Sequence, residues 1–365
     1  MSWTLARYFL VRVLRGLLVA ATIIFGLIAL VDFVEATRDV DEASGLNSLD
    51  LFGLTLLKTP SLVEQTLPFI ILFAVIGTLN ALNRRSELIA ARAAGISAWQ
   101  YLRPALAAAL VFGAAWVFVG NPLAAEALSR HDALREAAEG TVRANQRIWL
   151  REGSETRRAV VMADGFVPSE RRLLGVTYLA FDREGDTDSF ERRIDADSAQ
   201  WLPTGYLQLQ GVREWIDDAY SEPSESLALP TELSERDLLE RADPQRRAER
   251  LPPVWELPTL IAEQARVGFS TLLPQMKLWR LAALPVLLIG MTLIGACVSM
   301  RLSREGGTWR LILTGAMIGF SVFFATVFVE AFGEVGMLPP IIAAWTVPIL
   351  TVLLGTTYLA RLEDG

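Results

Sequence analysis

The sequence predicts a membrane α-helical protein of six transmembrane helices, interrupted by one inserted all-β, jelly-roll-like domain on the outer side. Three observations predict it. The 365-residue chain is 52% hydrophobic and still 21% charged, a combination that requires the charge to be segregated from the apolar part. The charge does collect between Arg130 and Arg250, while both ends of the chain are long apolar runs. Within the charged middle stretch, apolar residues alternate instead of recurring at helical spacing.

A helix needs roughly 20 mainly apolar residues to cross the hydrocarbon core. Six segments qualify, roughly Leu10 to Val34, Leu62 to Leu82, Pro104 to Ala125, Leu278 to Met300, Trp309 to Phe332 and Leu338 to Ala360. The second is the weakest, because Glu64 and Pro68 fall in its first turns. Arg7, Arg12 and Arg15 before the first apolar run look like the start of a signal peptide, but the run is too long and more spans follow, which favours a retained anchor.

Arginine in short loops sets the orientation. Arg7, Arg12 and Arg15, then Arg84, Arg85, Arg92 and Arg103, then Arg301, Arg304 and Arg310 all fall on one side. The opposite loops are acidic or mixed, with Glu35, Asp39, Asp41, Glu42 and Asp50 after the first span, and Glu330 and Glu334 near the last outer turn. Both termini are therefore expected inside and residues 126–276 outside. Lys277 and Arg280, at the outer end of the fourth span, depart from the rule.

The stretches Gln146 to Arg151, Ala159 to Ala163, Gly175 to Phe181 and Tyr206 to Trp215 have the period of two expected of half-buried strands. Turn signals separate them at Arg151-Glu-Gly-Ser154, Asp164-Gly165, Glu184-Gly-Asp186 and Pro203-Thr-Gly205. Leu123 to Arg143 reads as an amphipathic helix leaving the third span, and Leu238 to Gln264 as a helix with an irregular return. The expected organisation is residues 1–125 with three spans, 126–276 as the outer domain with helical connections, and 277–365 with three more spans.

Composition excludes several kinds of chemistry. A net charge of -7 does not suit a phosphate backbone partner. The single cysteine, Cys297, lies in an apolar run and supports neither a disulfide framework nor a thiol metal site. The two lysines, Lys58 and Lys277, stand apart from any glycine-rich phosphate loop. The one histidine, His131, has no second ligand at metal-like spacing and reads as a surface residue. No serine nucleophile elbow occurs. Glu330 and Glu334, one turn apart, are read as capping a helix end near the outer surface; a proton site, or an enzyme acting on lipid or glycan through such carboxylates, is the competing reading. A third is a structural or sensory protein whose outer domain binds a partner.

The most informative stretch is Asn83-Arg84-Arg85-Ser86-Glu87-Leu88-Ile89-Ala90-Ala91-Arg92-Ala93-Ala94-Gly95-Ile96-Ser97. Ser86 can start a short helix and Gly95 can end it in the left-handed conformation that glycine permits. Geometry alone leaves two readings open. One is a coupling helix that an ATPase grips, and the other an interfacial helix that merely joins two spans.

Arg85-Ser-Glu-Leu88 followed by Gly95-Ile-Ser97, placed after the second of six spans, resembles the LptF/LptG family of lipopolysaccharide export permeases. The resemblance runs over nearly the whole chain, through Arg7-Tyr8-Phe9-Leu10, the Val31-Asp-Phe-Val-Glu35 exit, Pro60 and Pro68, the interrupting β domain and Leu338-Pro-Pro-Ile-Ile-Ala-Ala-Trp345. The Arg-Ser-Glu-Leu form, the Phe33-Val34-Glu35 exit and the Pro339-Pro340 turn are more similar to the LptG branch than to LptF. The resemblance implies a multi-pass protein of the bacterial inner membrane with cytoplasmic termini and a periplasmic β domain. It implies an LptF-like permease subunit, an LptB-like ATPase dimer, an LptC-like periplasmic protein and lipopolysaccharide as partners, with ATP bound by the ATPase and no cofactor in this chain. It also implies that Glu87 is the carboxylate that contacts the ATPase, with Arg84, Arg85 and Gly95 shaping the helix. For lipid phosphates the candidate cations are Arg38, Arg130, Lys58, Lys277 and Arg280, each of which can equally be an ordinary snorkelling residue. The chain departs from its relatives at Asp32, a place that is basic in some of them. That departure implies a lipid A of altered charge or reliance on bridging divalent cations.

Overall fold

Apolar runs of this length leave the backbone no hydrogen-bond partner in lipid except itself, so they fold as helices. The computed structural model describes residues 3–39, 47–139, 148–153, 157–167, 172–184, 187–202, 206–216, 219–220, 223–231, 251–266, 270–302 and 308–364, among which six helices are long and apolar enough to cross a membrane. The first two spans are α1 (Trp3–Asp39) and α2 (Ser48–Arg84), joined through the short α3 (Glu87–Ala93) to α4 (Ala98–Ala115). A π-helical turn at Trp116–Gly120 carries α4 into α5 (Asn121–Glu139), which completes the third span. After the strands come α6 (Leu257–Arg266) and the last three spans, α7 (Leu272–Leu302), α8 (Thr308–Glu334) and α9 (Pro340–Asp364). Two compact units result, Met1–His131 with Leu251–Gly365, and Asp132–Arg250.

The second span starts well before the expected Leu62, because Asn47 caps it. Its Oδ1 accepts from the Leu49 and Asp50 amides at 2.9 and 3.0 Å while the Asp50 carboxylate accepts from the Asn47 amide at 3.2 Å, a reciprocal capping box. Asp50 thus belongs to the first helical turn and not to an outer loop. The middle of the helical unit is built on α2 and α7, where Leu67, Leu72, Leu288, Met291 and Ala296 are fully buried. Cys297 is buried as well.

The inserted unit is one antiparallel sheet of seven strands among the described residues, β1 (Ile148–Gly153), β2 (Arg157–Val167), β3 (Arg172–Glu184), β4 (Thr187–Leu202), β5 (Tyr206–Ile216), β6 (Ala219–Tyr220) and β7 (Ser224–Pro230). Successive strands pair from β1 to β6, and β7 also pairs with β5. Val161, Val176, Tyr178, Ile194, Leu207, Leu209 and Leu229 share its apolar core. Three strands, β4, β6 and β7, were not expected from the alternation pattern. The predicted turn at Asp164-Gly165 is also absent, since β2 runs on through it with Gly165 opposite Leu174. Asp164 faces Gly175, which sits at φ +59° with no room for a Cβ beside the Asp164 carboxylate, and Asp197 faces Gly211 at φ +67° in the same way. These two left-handed glycines change which side of β3 and β5 faces the core, so that Leu173 and Val176 are both buried, as are Leu209 and Val212.

The expected features at Asp41, Glu42, Arg304, Pro203-Thr-Gly205 and most of the return segment before Leu251 lie outside the described residues, as do Ser154 and residues 185–186.

Candidate functional site

The short helix α3 comes first. Seven residues make two turns, and its C-terminal end closes with a Schellman pair: the Gly95 amide donates to Arg92 O at 2.9 Å and the Ile96 amide to Ala91 O at 3.1 Å. Gly95 sits at φ +78°, as that motif needs. The start differs from expectation. Ser86 makes no side-chain cap and is itself left-handed, at φ 60°, so the turn out of α2 is set by backbone geometry and not by the serine hydroxyl. Leu88 is buried and anchors the helix, while Arg84, Arg85, Ile89, Ala90 and Arg92 are exposed. A face of alanines beside an exposed Ile89 allows a partner backbone to come close.

Glu87 points back at the first span. Tyr8 OH donates to its Oε2 at 2.7 Å, and Arg12 Nη2 lies 3.8 Å from its Oε1 while donating to Tyr8 OH at 2.7 Å. Nearby, Glu363 near the C-terminus accepts from the Ala98 amide at 3.0 Å. The start of α1, all of α3 and the end of α9 therefore share one end of the helical unit.

A second polar cluster holds the opposite end. Glu64 Oε2 accepts from Trp116 Nε1 at 3.2 Å and Asn121 Nδ2 at 2.8 Å, and its Oε1 lies 3.6 Å from Arg280. Asn121 Oδ1 accepts from the Val254 amide at 3.1 Å, and Lys277 Nζ donates to Leu251 O at 2.7 Å. Arg280 also reaches Glu330 at 4.0 Å. Trp116 and Asn121 are five residues apart, a spacing that an α-helix would rotate by about 140°; the wider π turn lets both meet one carboxylate. Sequence reading took Glu64 only as a weakness of the second span. The rule that an intramembrane carboxylate has a partner would have flagged it.

This cluster explains the two cations that broke the charge rule, since Lys277 and Arg280 both have acceptors within the protein. Lys58 likewise pairs with the buried Asp32 at 2.7 Å, and Arg130 with Glu126 at 2.8 Å in an exposed pair. Arg38 is exposed in the last turn of α1. Two expectations need correction. His131 is buried, on the stripe with Ala124 and Leu128, because its spacing puts it on the inner face of α5. Glu330 is buried and turned to Arg280, and the end of α8 is closed by Gly336 at φ +78°, with the Met337 amide on Phe332 O at 2.9 Å. A carboxylate could not favourably cap that end, where the helix dipole is negative.

Between the two ends, the spans are unequally covered. Burial of the most apolar stretch is 61% for the second span and 72% for the fourth, but 22% for the first and 11% for the fifth. Leu18, Ile23, Leu27 and Leu30 of α1 and Phe320, Phe324 and Phe328 of α8 are exposed. The chain leaves the helical unit after His131 and returns at Leu251, next to the Glu64 cluster and remote from α3.

A bundle of six apolar helices, two of them largely uncovered, with an antiparallel sheet inserted in the chain between the third and fourth spans, is the build of a multi-pass membrane protein. A family model agrees: that of the lipopolysaccharide export system permease LptF/LptG matches residues 7–361. The chain belongs to that family. No curated protein matches it.

Proposed function

We propose that this chain is the LptG-type permease subunit of an ABC transporter that extracts lipopolysaccharide from the bacterial inner membrane and passes it through its β unit toward the outer membrane. The observation that carries the reading is the separation of roles along the helical unit: α3 with Glu87 lies at one end, and the chain departs for the β unit at the other. In this reading the α3 end and both termini are cytoplasmic and the β unit is periplasmic. An LptB-type ATPase dimer grips α3 through Glu87, with Arg84, Arg85 and Gly95 shaping the contact, and supplies the ATP hydrolysis. An LptF-type subunit faces the uncovered first and fifth spans, whose apolar surfaces accept acyl chains. An LptC-type protein receives the lipid from the β unit.

At the periplasmic headgroup level, Arg38 offers an exposed guanidinium suited to bidentate phosphate contact. Lys58 spends one of three ammonium donors on Asp32 and keeps two for a phosphate. Lys277, Arg280 and Arg130 line the same end. The test is Glu87→Arg, assayed for membrane insertion, co-purification of the ATPase and lipopolysaccharide export. The expected outcome is normal insertion with loss of ATPase coupling; a variant that supports full export overturns the proposal. Purification from native membranes should bring an ATPase and a glycolipid along.

A further inference from the structure

At the α3 end, α1 and α2 run antiparallel and approach so closely that a Cβ on Gly16 would run into the Thr78 side chain and the Ala74 carbonyl. Beside that contact the two helices and the start of α8 enclose a trough of about 700 Å³. Its mouth carries Arg12, Arg15 and Arg85, and its wall continues inward as Val19, Ile23 and Phe73. From Arg12 to Ile24 the trough runs roughly 18 Å along the helix rise.

Charge at the mouth is unbalanced. Arg12 is engaged with Tyr8 and lies 3.8 Å from Glu87. Arg15 and Arg85 are exposed, and neither has an ion pair among the described residues. Three guanidinium groups with one carboxylate between them, set over an apolar channel, match an amphiphile with a phosphate head. Ordinary snorkelling accounts for arginines at a bilayer boundary but not for the apolar trough that extends inward beneath them.

We propose that this trough binds an anionic glycerophospholipid from the leaflet at the α3 end, with its phosphate on Arg15 and Arg85 and one acyl chain along Val19, Ile23 and Phe73. The bound phosphate competes with Glu87 for Arg12 and so loosens the tether between α1 and α3. The trough shares Arg85 and the first and fifth spans with the export reading, so it rests on the α3 end of that face staying open to the bilayer, while lipid labelling of the single chain does not depend on export itself.

The test uses the full chain in phosphatidylcholine nanodiscs carrying trace phosphatidylglycerol with a photoactivatable acyl chain, against the matched phosphatidylcholine probe. Adducts on the α1 and α2 peptides around Ile23 and Phe73 should favour phosphatidylglycerol about tenfold, the scale of one charge-assisted contact. Arg15→Gln with Arg85→Gln should reduce that preference to the phosphatidylcholine level. Gly77→Leu should reduce labelling by both probes while leaving the fold intact by circular dichroism, since Gly77 lines the trough and a Cβ there meets nothing within 4 Å. Equal labelling by the two probes overturns the proposal, as does labelling indifferent to these variants. So does a trough filled by lipopolysaccharide in competition with phosphatidylglycerol, or by a helix of a second protein chain in the assembled permease.

Discussion

The fourth and fifth spans are nearly equal in mean hydropathy, at 2.4 and 2.2, yet 72% of the one and 11% of the other is buried. In lipid an apolar side chain gains little by leaving acyl chains for another helix, so close approach decides which helix goes to the centre. The fourth span, α7, offers small residues to neighbours on more than one side: a Cβ on Gly290 would lie 2.7 Å from Thr351 Cγ2, and one on Gly295 3.2 Å from Leu72 O. The fifth span, α8, turns Gly315 and Gly319 toward α2 and leaves Phe320, Phe324 and Phe328 outside, successive ring centroids 6.4 Å apart. Side-chain size, and not apolarity, separates a structural helix from one left open to lipid or a partner.

The largest effect that tests this contrast is Leu288→Ala in α7. Leu288 is fully buried, and its truncation should destabilise the helical unit by about 2–5 kcal/mol, read as a lower thermal transition in detergent. Next comes Glu64→Leu, which takes the acceptor from Trp116 and Asn121 and the partner from Arg280. The loss should be about 1–3 kcal/mol, with Glu64→Gln intermediate because the amide oxygen still accepts. Gly95→Ala should cost about 1 kcal/mol, confined to α3, because φ +78° strains an L-residue; hydrogen exchange should quicken at Ala93 to Ile96 and nowhere else. Smallest is Phe324→Ala on the open ladder, expected to change stability by no more than about 0.5 kcal/mol while lowering crosslinking of acyl chains to α8. Equal destabilisation by Leu288→Ala and Phe324→Ala would remove the contrast.

The six spans were legible because a hydropathic run of bilayer length has few other uses, and Gly95 was legible because a left-handed helix end favours glycine. The strands split by contrast. β3 is dense in large apolar residues, with Leu173, Val176 and Tyr178 buried, whereas the inward set of β4 is Ile194, Ala196 and Ala199 among charged neighbours, too small to stand out. Only Leu227 and Leu229 mark β7. Asp164-Gly165 misled because that dipeptide favours turns locally, and the pairing with β3 overrides it. At the site, Glu87 was visible in the sequence, but its tether to Tyr8 and Arg12 joins residues far apart in the chain. The Glu64 cluster was hidden for the same reason, since Trp116, Asn121, Val254 and Arg280 meet only after α2, α4, α5 and α7 pack.

One widened turn, Trp116–Gly120, sets the phase of everything on α5. Its indole lies so near Gly120 that a Cβ there would come within 2.7 Å of the ring. Shortening this turn by one residue would rotate α5 by about 100° and swing Ala124, Leu128 and His131 away from the neighbours that now cover them. The bulge thus acts as an indexing device, and its length decides which face of α5 is turned toward the other helices.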